Sequence, residues 1–283
     1  MKRCAKLNEP PLLTTYRAAK PDATWEEMRD DPFYGGQQAA RDTKSTLVRG
    51  QRCLCAFCEV QIADECSDAA ISKRKVDQRV EHFHPKSDTT RPPNWNLHWP
   101  NLWAVCLGGS KQEEDEQEHV RFPLPENLSC DAFKDHQIEM GLLPESPEGW
   151  VLAPDEVPAF PLLFQYAPDG TPEPHLANCA SATIPNHHYG DTTEFVAKTI
   201  EHLNLGCFRL NEERRIVRAQ LDKRIASARI GSPGVAPDDV LLSLARRLFS
   251  TGSGSSWPQF FSLLRWRLGA AAERHLRDIQ YSG

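Results

Sequence analysis

"CLCAFCEV", residues 53–60, decides how the rest of this chain is read. Cys55 and Cys58 stand two residues apart, the spacing at which two thiolates on one tight turn can meet the same tetrahedral ion. Such a pair is half a site. The other half must come from further along, and the candidates are Cys106 in "WAVCLGG" (103–109) and Cys130 in "LSCDAFK" (128–134), with Cys53 and Cys66 as weaker substitutes. Four thiolates close a coordination sphere and leave no position for water. The expectation is therefore a structural zinc site that supplies folding free energy to a segment too rich in loops to hold itself together.

Working outward, residues 53–136 are rich in Cys, His, Trp and Asn with short apolar runs, the composition of a small metal-held module. Residues 1–52 read as an arm followed by helices, with Thr24 as N-cap and Glu27 three residues on, then a helix that ends at Gly50. The acidic run "KQEEDEQEH" (111–119) reads as a solvated insertion. Residues 137–190 are rich in proline and predict loops with a short hairpin around Asp169-Gly170, without a core of their own. From 191 to 283, apolar residues at three- and four-residue spacing predict four helical segments, separated near the end by "GSPGVAP" and "TGSGSS".

The chain has 283 residues, a formal net charge of −6 and nine cysteines. An odd cysteine count with uneven spacing suits a metal site better than a disulfide framework. No apolar run approaches the roughly 20 residues that cross a bilayer, and "MKRCAKLNEPPLL" lacks the apolar stretch of a secretory signal. A cytoplasmic protein with no membrane partner is expected. The negative charge argues against indiscriminate wrapping of nucleic acid, which depends on Lys and Arg meeting phosphates, but it leaves room for a local basic face. The segment "RLNEERRIVRAQLDKRIASAR" (209–229) is one candidate for such a face. The apolar and arginine-rich "FFSLLRWRL" (260–268) suits core packing, with Trp266 as a possible interface anchor.

Between the proposed zinc halves lies "VEHFHPKS" (80–87). Hydrolysis of a phosphodiester needs a hard cation against the phosphate and a base for the attacking water. Glu81 and Asp131 can supply carboxylates, and His82, with an ordinary pKa near 6.5, is the natural base. Neighbouring residues on a regular strand face opposite ways, so both can meet one pocket only where the strand ends, as Pro85 suggests it does. His84 reads as a supporting or substrate-contacting residue, and His136 as a spare ligand. Trp95, Trp99 and Trp103 are expected in the core of the module.

"CAFCE", "VEHFHPKS", "WPNLWAVC" and "CDAFK" together resemble the HNH nucleases, whose ββα-metal finger sits on a zinc knuckle. More narrowly the chain resembles the PtuB-like HNH subunit of Septu and retron-associated anti-phage systems, a likeness that takes in "FQYAPDGTPEP" (164–174) and "TIEHLNLGCFRLNEERR" (199–215) and spans most of residues 1–225. The resemblance implies an α+β fold in which a small zinc-stabilised finger is embedded in a mostly helical chain. It implies His82 as general base, Glu81 as ligand of a catalytic Mg2+ or Mn2+, and Asn101 as the residue that holds the active-site loop. Asp131 stands where the family usually has Asn or His, a departure that a magnesium ligand can accommodate. The long stretch between Cys106 and Cys130 is another. His84, Lys86 and Lys134 are the residues expected to meet substrate. DNA is the expected target, with RNA such as tRNA as the alternative, and a PtuA-like ATPase is the implied partner. A zinc-knuckle binding module without chemistry is the rival from another class.

Overall fold

The computed structural model describes residues 1–73, 78–89, 93–110, 120–250 and 256–283; the acidic run and most of the "TGSGSS" separator lie outside them. The Thr24–Glu27 spacing forms a full capping box. Thr24 Oγ1 accepts from the Glu27 amide at 3.1 Å, and the Glu27 carboxylate accepts from the Thr24 amide at 2.7 Å, which starts α2 (Trp25–Asp30). α1 (Pro11–Ala19) begins with a proline whose missing N–H is not needed there. Both pack on α3 (Gly36–Gly50), burying Leu13, Met28, Ala39 and Leu47.

After α4 (Asp68–Lys73), β1 (Gln78–His82) pairs antiparallel with β2 (Leu102–Cys106), Glu81 opposite Trp103 and His82 opposite Leu102. β2 is the apolar run "LWAVC" and is buried at every position, as expected of a strand covered on both faces. α5 (Cys130–Glu139) follows and packs against β2. The hairpin falls where expected: β3 (Phe164–Tyr166) and β4 (Pro172–Pro174) turn at Asp169-Gly170, followed by a short α6 (Leu176–Ser181).

The rest is helical, in α7 (Thr192–His202), α8 (Phe208–Ile230) and α9 (Pro237–Leu248). The last helical segment divides into α10 (Phe261–Leu268) and α11 (Ala270–Asp278), because Gly269 takes φ of 56° between them, outside helical geometry and in the region that favours glycine. Among the described residues no helix is long and apolar enough to cross a membrane.

Two apolar clusters meet at the knuckle. One runs from Met1 through the sheet to Leu263 and takes in Cys53 and Cys55 to Cys58; the other joins α8 to α11 and takes in Leu54. Adjacent residues of one turn thus belong to different cores. The Glu59 carboxylate, itself buried, accepts from Ser262 N at 2.8 Å and Ser262 Oγ at 2.6 Å, which ties α10 to the end of the knuckle.

Candidate active site

Cys55, Cys58, Cys106 and Cys130 converge, with their four sulfurs within 4.8 Å of one another and all four side chains buried. The Cys58–Cys106 sulfurs are 3.6 Å apart, and those of Cys55–Cys130 and Cys106–Cys130 3.8 Å. Zn–S bonds of about 2.3 Å would place tetrahedral sulfurs about 3.8 Å apart, so the cluster can hold a metal such as zinc. Burial pushes the Cys58 and Cys130 thiols up, hydrogen bonds from the neighbouring thiols pull Cys106 down, and a metal that binds the cluster displaces the protons that remain. The turn after Cys106 needs Gly108: its φ is +62°, its N–H points at Cys106 Sγ from 3.4 Å, and a Cβ there would sit 2.3 Å from the Ser129 carbonyl. Arg209 of α8 bonds Ser129 Oγ at 2.8 Å and places its positive charge beside the thiols. Cys53 and Cys66, the weaker substitutes for the site, are joined to each other as a disulfide and take no part in the cluster.

Beside the cluster, β1 and α5 bring charged groups to a cavity of about 450 Å³. β1 contributes Arg79, Glu81 and His82, and α5 contributes Asp131, Lys134 and Asp135. Glu81 and His82 both border it, as do Arg79 and Val80 before them, so the cavity takes in both sides of the end of β1. Glu81 pairs with the Lys134 ammonium and Asp131 with the Arg79 guanidinium, so the two buried carboxylates are matched by two cations. The match is incomplete: Asp131 Oδ1 is buried without a partner among the described atoms. Burial, and then the charge of Glu81, pushes Asp131 up to about 8 despite Arg79. For Lys134 burial works against the charge, but Glu81 and Asp135 outweigh it and its pKa is raised. An orphaned carboxylate oxygen beside a second carboxylate suits a hard divalent cation.

His82 Nε2 lies 3.0 Å from the Asn96 carbonyl oxygen. A carbonyl only accepts, so the neutral ring carries its proton on Nε2 and keeps the lone pair on Nδ1. Burial, with Lys86 and Lys134 adding to it against the opposing Asn96 bond and Glu26, lowers its pKa to about 4. Across neutral pH the ring is therefore a free base.

Asn101 braces the segment after β1. Its Oδ1 accepts from His84 N at 2.6 Å, and its Nδ2 donates to the His84 and Trp95 carbonyls at 3.0 and 2.9 Å. Asn101→Ala would leave these three buried backbone groups short of a partner. The expected cost is about 1–3 kcal/mol of stability, read from the denaturant midpoint, and an unchanged midpoint would rule the brace out.

His84 does not border the cavity. Its Nδ1 is 2.7 Å from Glu148 and its Nε2 3.0 Å from Asp88, with Trp95 stacked on the ring at 3.9 Å, so it clasps the loop to a distant segment. Trp95 backs His84, whereas Trp99 and Trp103 are buried core. Lys86 reaches the cavity rim paired with Glu26, and His136 is not among the residues that line it. Trp266 packs against Tyr166 and Arg218 within the chain. Sequence reasoning passed over Arg79 and Asp135. The signal was present, since Arg79 shares a strand face with Glu81 and Asp135 lies one helical turn past Asp131.

No family model matches this chain. Comparison with curated proteins shows its class: the chain belongs to the HNH endonucleases. The relative that shows this is the candidate HNH endonuclease of retron Ec83 from Escherichia coli, 34% identical over 220 residues, which cover 76% of this chain and 78% of that protein.

Proposed function

We propose that this chain is a metal-dependent HNH endonuclease that hydrolyses phosphodiester bonds in DNA, with β1, β2 and α5 as its ββα-metal finger and the four cysteines as its structural zinc knuckle. The observation that carries the reading is His82: a ring with its Nε2 proton fixed on the Asn96 carbonyl and its Nδ1 lone pair available, on the rim of a cavity that also holds Glu81 and Asp131. Those two carboxylates would hold a Mg2+ or Mn2+ ion, which when bound neutralises charge developing on the phosphate and leaving oxygen.

His82 Nδ1 takes the proton of the attacking water, and its low pKa keeps it unprotonated at working pH. Asn101 keeps the loop after His82 in register. Lys86 at the rim meets a substrate phosphate, and Lys134, released from Glu81, meets another. His84 acts by holding the loop through Asp88 and Glu148. In this reading the chain is the nuclease subunit of a two-component anti-phage complex with a PtuA-like ATPase, a part supported by the "FQYAPDGTPEP" and "TIEHLNLGCFRLNEERR" segments.

Incubating the purified chain and its ATPase partner with plasmid DNA and with total RNA, with and without magnesium, tests this. Magnesium-dependent cutting of plasmid is expected. Cutting of RNA alone would remove DNA as the target, and no cutting of either would sink the reading. Magnesium affinity should also depend on pH. Asp131, pushed up to about 8 by burial and by Glu81, makes protons compete with the metal, so affinity is expected to fall as pH drops from 8 to 6. Isothermal titration with magnesium at pH 6, 7 and 8 measures it; equal affinities at all three would remove Asp131 as a ligand.

A further inference from the structure

A second groove, of about 700 Å³, opens on the other side of His82 between α2, α3 and β1. Its charge is one-sided. Among the described residues that line it are Arg29, Arg41, Lys44, Arg79 and Lys86, against the single carboxylate Glu26, in a chain whose net charge is −6. Arg29 and Arg41 face solvent; Arg29 makes a two-pronged ion pair with its neighbour Asp30 at 2.8 and 2.9 Å, exposed enough that a phosphate can compete for it, and Arg41 is bonded at 2.8 Å to the neutral amide oxygen of Gln38. Trp25 is buried at the base and meets the His82 ring edge-on at 5.7 Å.

This groove and the active-site cavity share Arg79, Val80, His82 and Lys86, so the two adjoin with His82 at the divide. Glu81 and Asp131 lie on one side of that divide, and Arg41, which no carboxylate answers among the described contacts, lies on the other with Arg29. We infer that the groove carries the sugar-phosphate backbone of the DNA flanking the bond to be cut, with Arg29 and Arg41 of the N-terminal helices as its phosphate contacts. This rests on the nuclease reading and adds to it a substrate path that residues 25–44 form against β1 of the proposed finger. A backbone running along this path delivers the next phosphate to His82 without any base being read.

The test uses the full chain in its metal-loaded form. Binding of fluorescein-labelled duplex DNA is followed by anisotropy over a range of salt, with no magnesium added, for the parent, for Arg29→Gln/Arg41→Gln, and for Arg224→Gln/Arg247→Gln. The last pair removes the same charge from a separate cavity between α8 and α9. Loss of two phosphate contacts should reduce the slope of log affinity against log salt by roughly 2 and weaken binding several-fold at moderate salt, while the α8/α9 pair keeps the parent's slope. In cleavage with magnesium the groove pair should raise KM and leave kcat near the parent's.

The inference is overturned if the groove pair keeps the parent's affinity and slope, if the α8/α9 pair loses as much, or if the parent binds no DNA. An RNA oligonucleotide held in place of DNA by the same arginines would overturn DNA as the occupant. His82→Ala separates the two levels. If it binds as the parent does and cleavage is unaffected, the catalytic reading fails while the binding result still decides the groove.

Discussion

Replacing His82 with alanine is expected to slow DNA cleavage about 10²–10⁴-fold, or about 3–5 kcal/mol of transition-state stabilisation. The size follows from the geometry. With Nε2 committed to the Asn96 carbonyl, Nδ1 is the one nitrogen left to accept a proton, and neither Glu81 nor Asp131 can replace it while both are taken up in holding the proposed metal ion. His82→Asn sharpens the test, because its amide can still donate to the Asn96 carbonyl yet offers no base. Both variants should unfold near the parent's temperature and keep their zinc. A single-turnover rate within a few fold of the parent's would remove His82 from the proton transfer. At saturating magnesium the acid limb of the parent's rate profile should lie well below 6.5, since protonation of His82 begins to matter only as pH falls toward about 4.

Loss of the knuckle metal should have the largest structural effect. Structural zinc in small domains contributes on the order of 10–16 kcal/mol of apparent binding free energy at neutral pH. That is comparable with or larger than the 5–15 kcal/mol by which a whole domain is usually stable. Stripping the metal with a strong chelator is therefore expected to unfold the finger cooperatively, and Cys55→Ser to yield protein that is insoluble or melts far below the parent. Cleavage should go with it, because Cys130 opens the helix that carries Asp131 and Lys134. Elemental analysis should find one zinc per chain. A parent without zinc, or a Cys55→Ser protein with the parent's melting temperature, would refute a structural metal.

What could be read in the sequence was whatever has a local mechanism. The Cys55–Cys58 spacing, the Thr24–Glu27 capping box and the Asp169-Gly170 turn each work through a few adjacent residues, and each stands where it was expected. Cys106 and Cys130 could be matched because a half-filled tetrahedron demands two more thiolates. The misses depend on three-dimensional neighbours. A glycine inside a helical pattern costs only about 1 kcal/mol, so the pattern alone gives no sign that Gly269 divides α10 from α11. That Arg79 would answer Asp131 and Lys134 would answer Glu81 depends on how α5 lies across the sheet, which no local spacing encodes. For His84, read as supporting or substrate-contacting, it is contacts with Asp88 and Glu148 that give it a supporting place, and these too lie beyond local spacing.

The division of the knuckle between two cores bears on how the nuclease can be dissected. Leu54 is sunk among residues of α8 to α11 while Cys53 and Cys55 on either side of it belong to the sheet side, and Glu59 is fastened to Ser262. A fragment trimmed to residues 53–136, the proposed finger, would carry an exposed leucine and a carboxylate stripped of its donors on the turn that holds Cys55 and Cys58. The helical half acts as the anvil on which that turn is shaped. Minimal-nuclease designs from this chain should therefore keep the C-terminal helices even though none of their described residues lines the cavity.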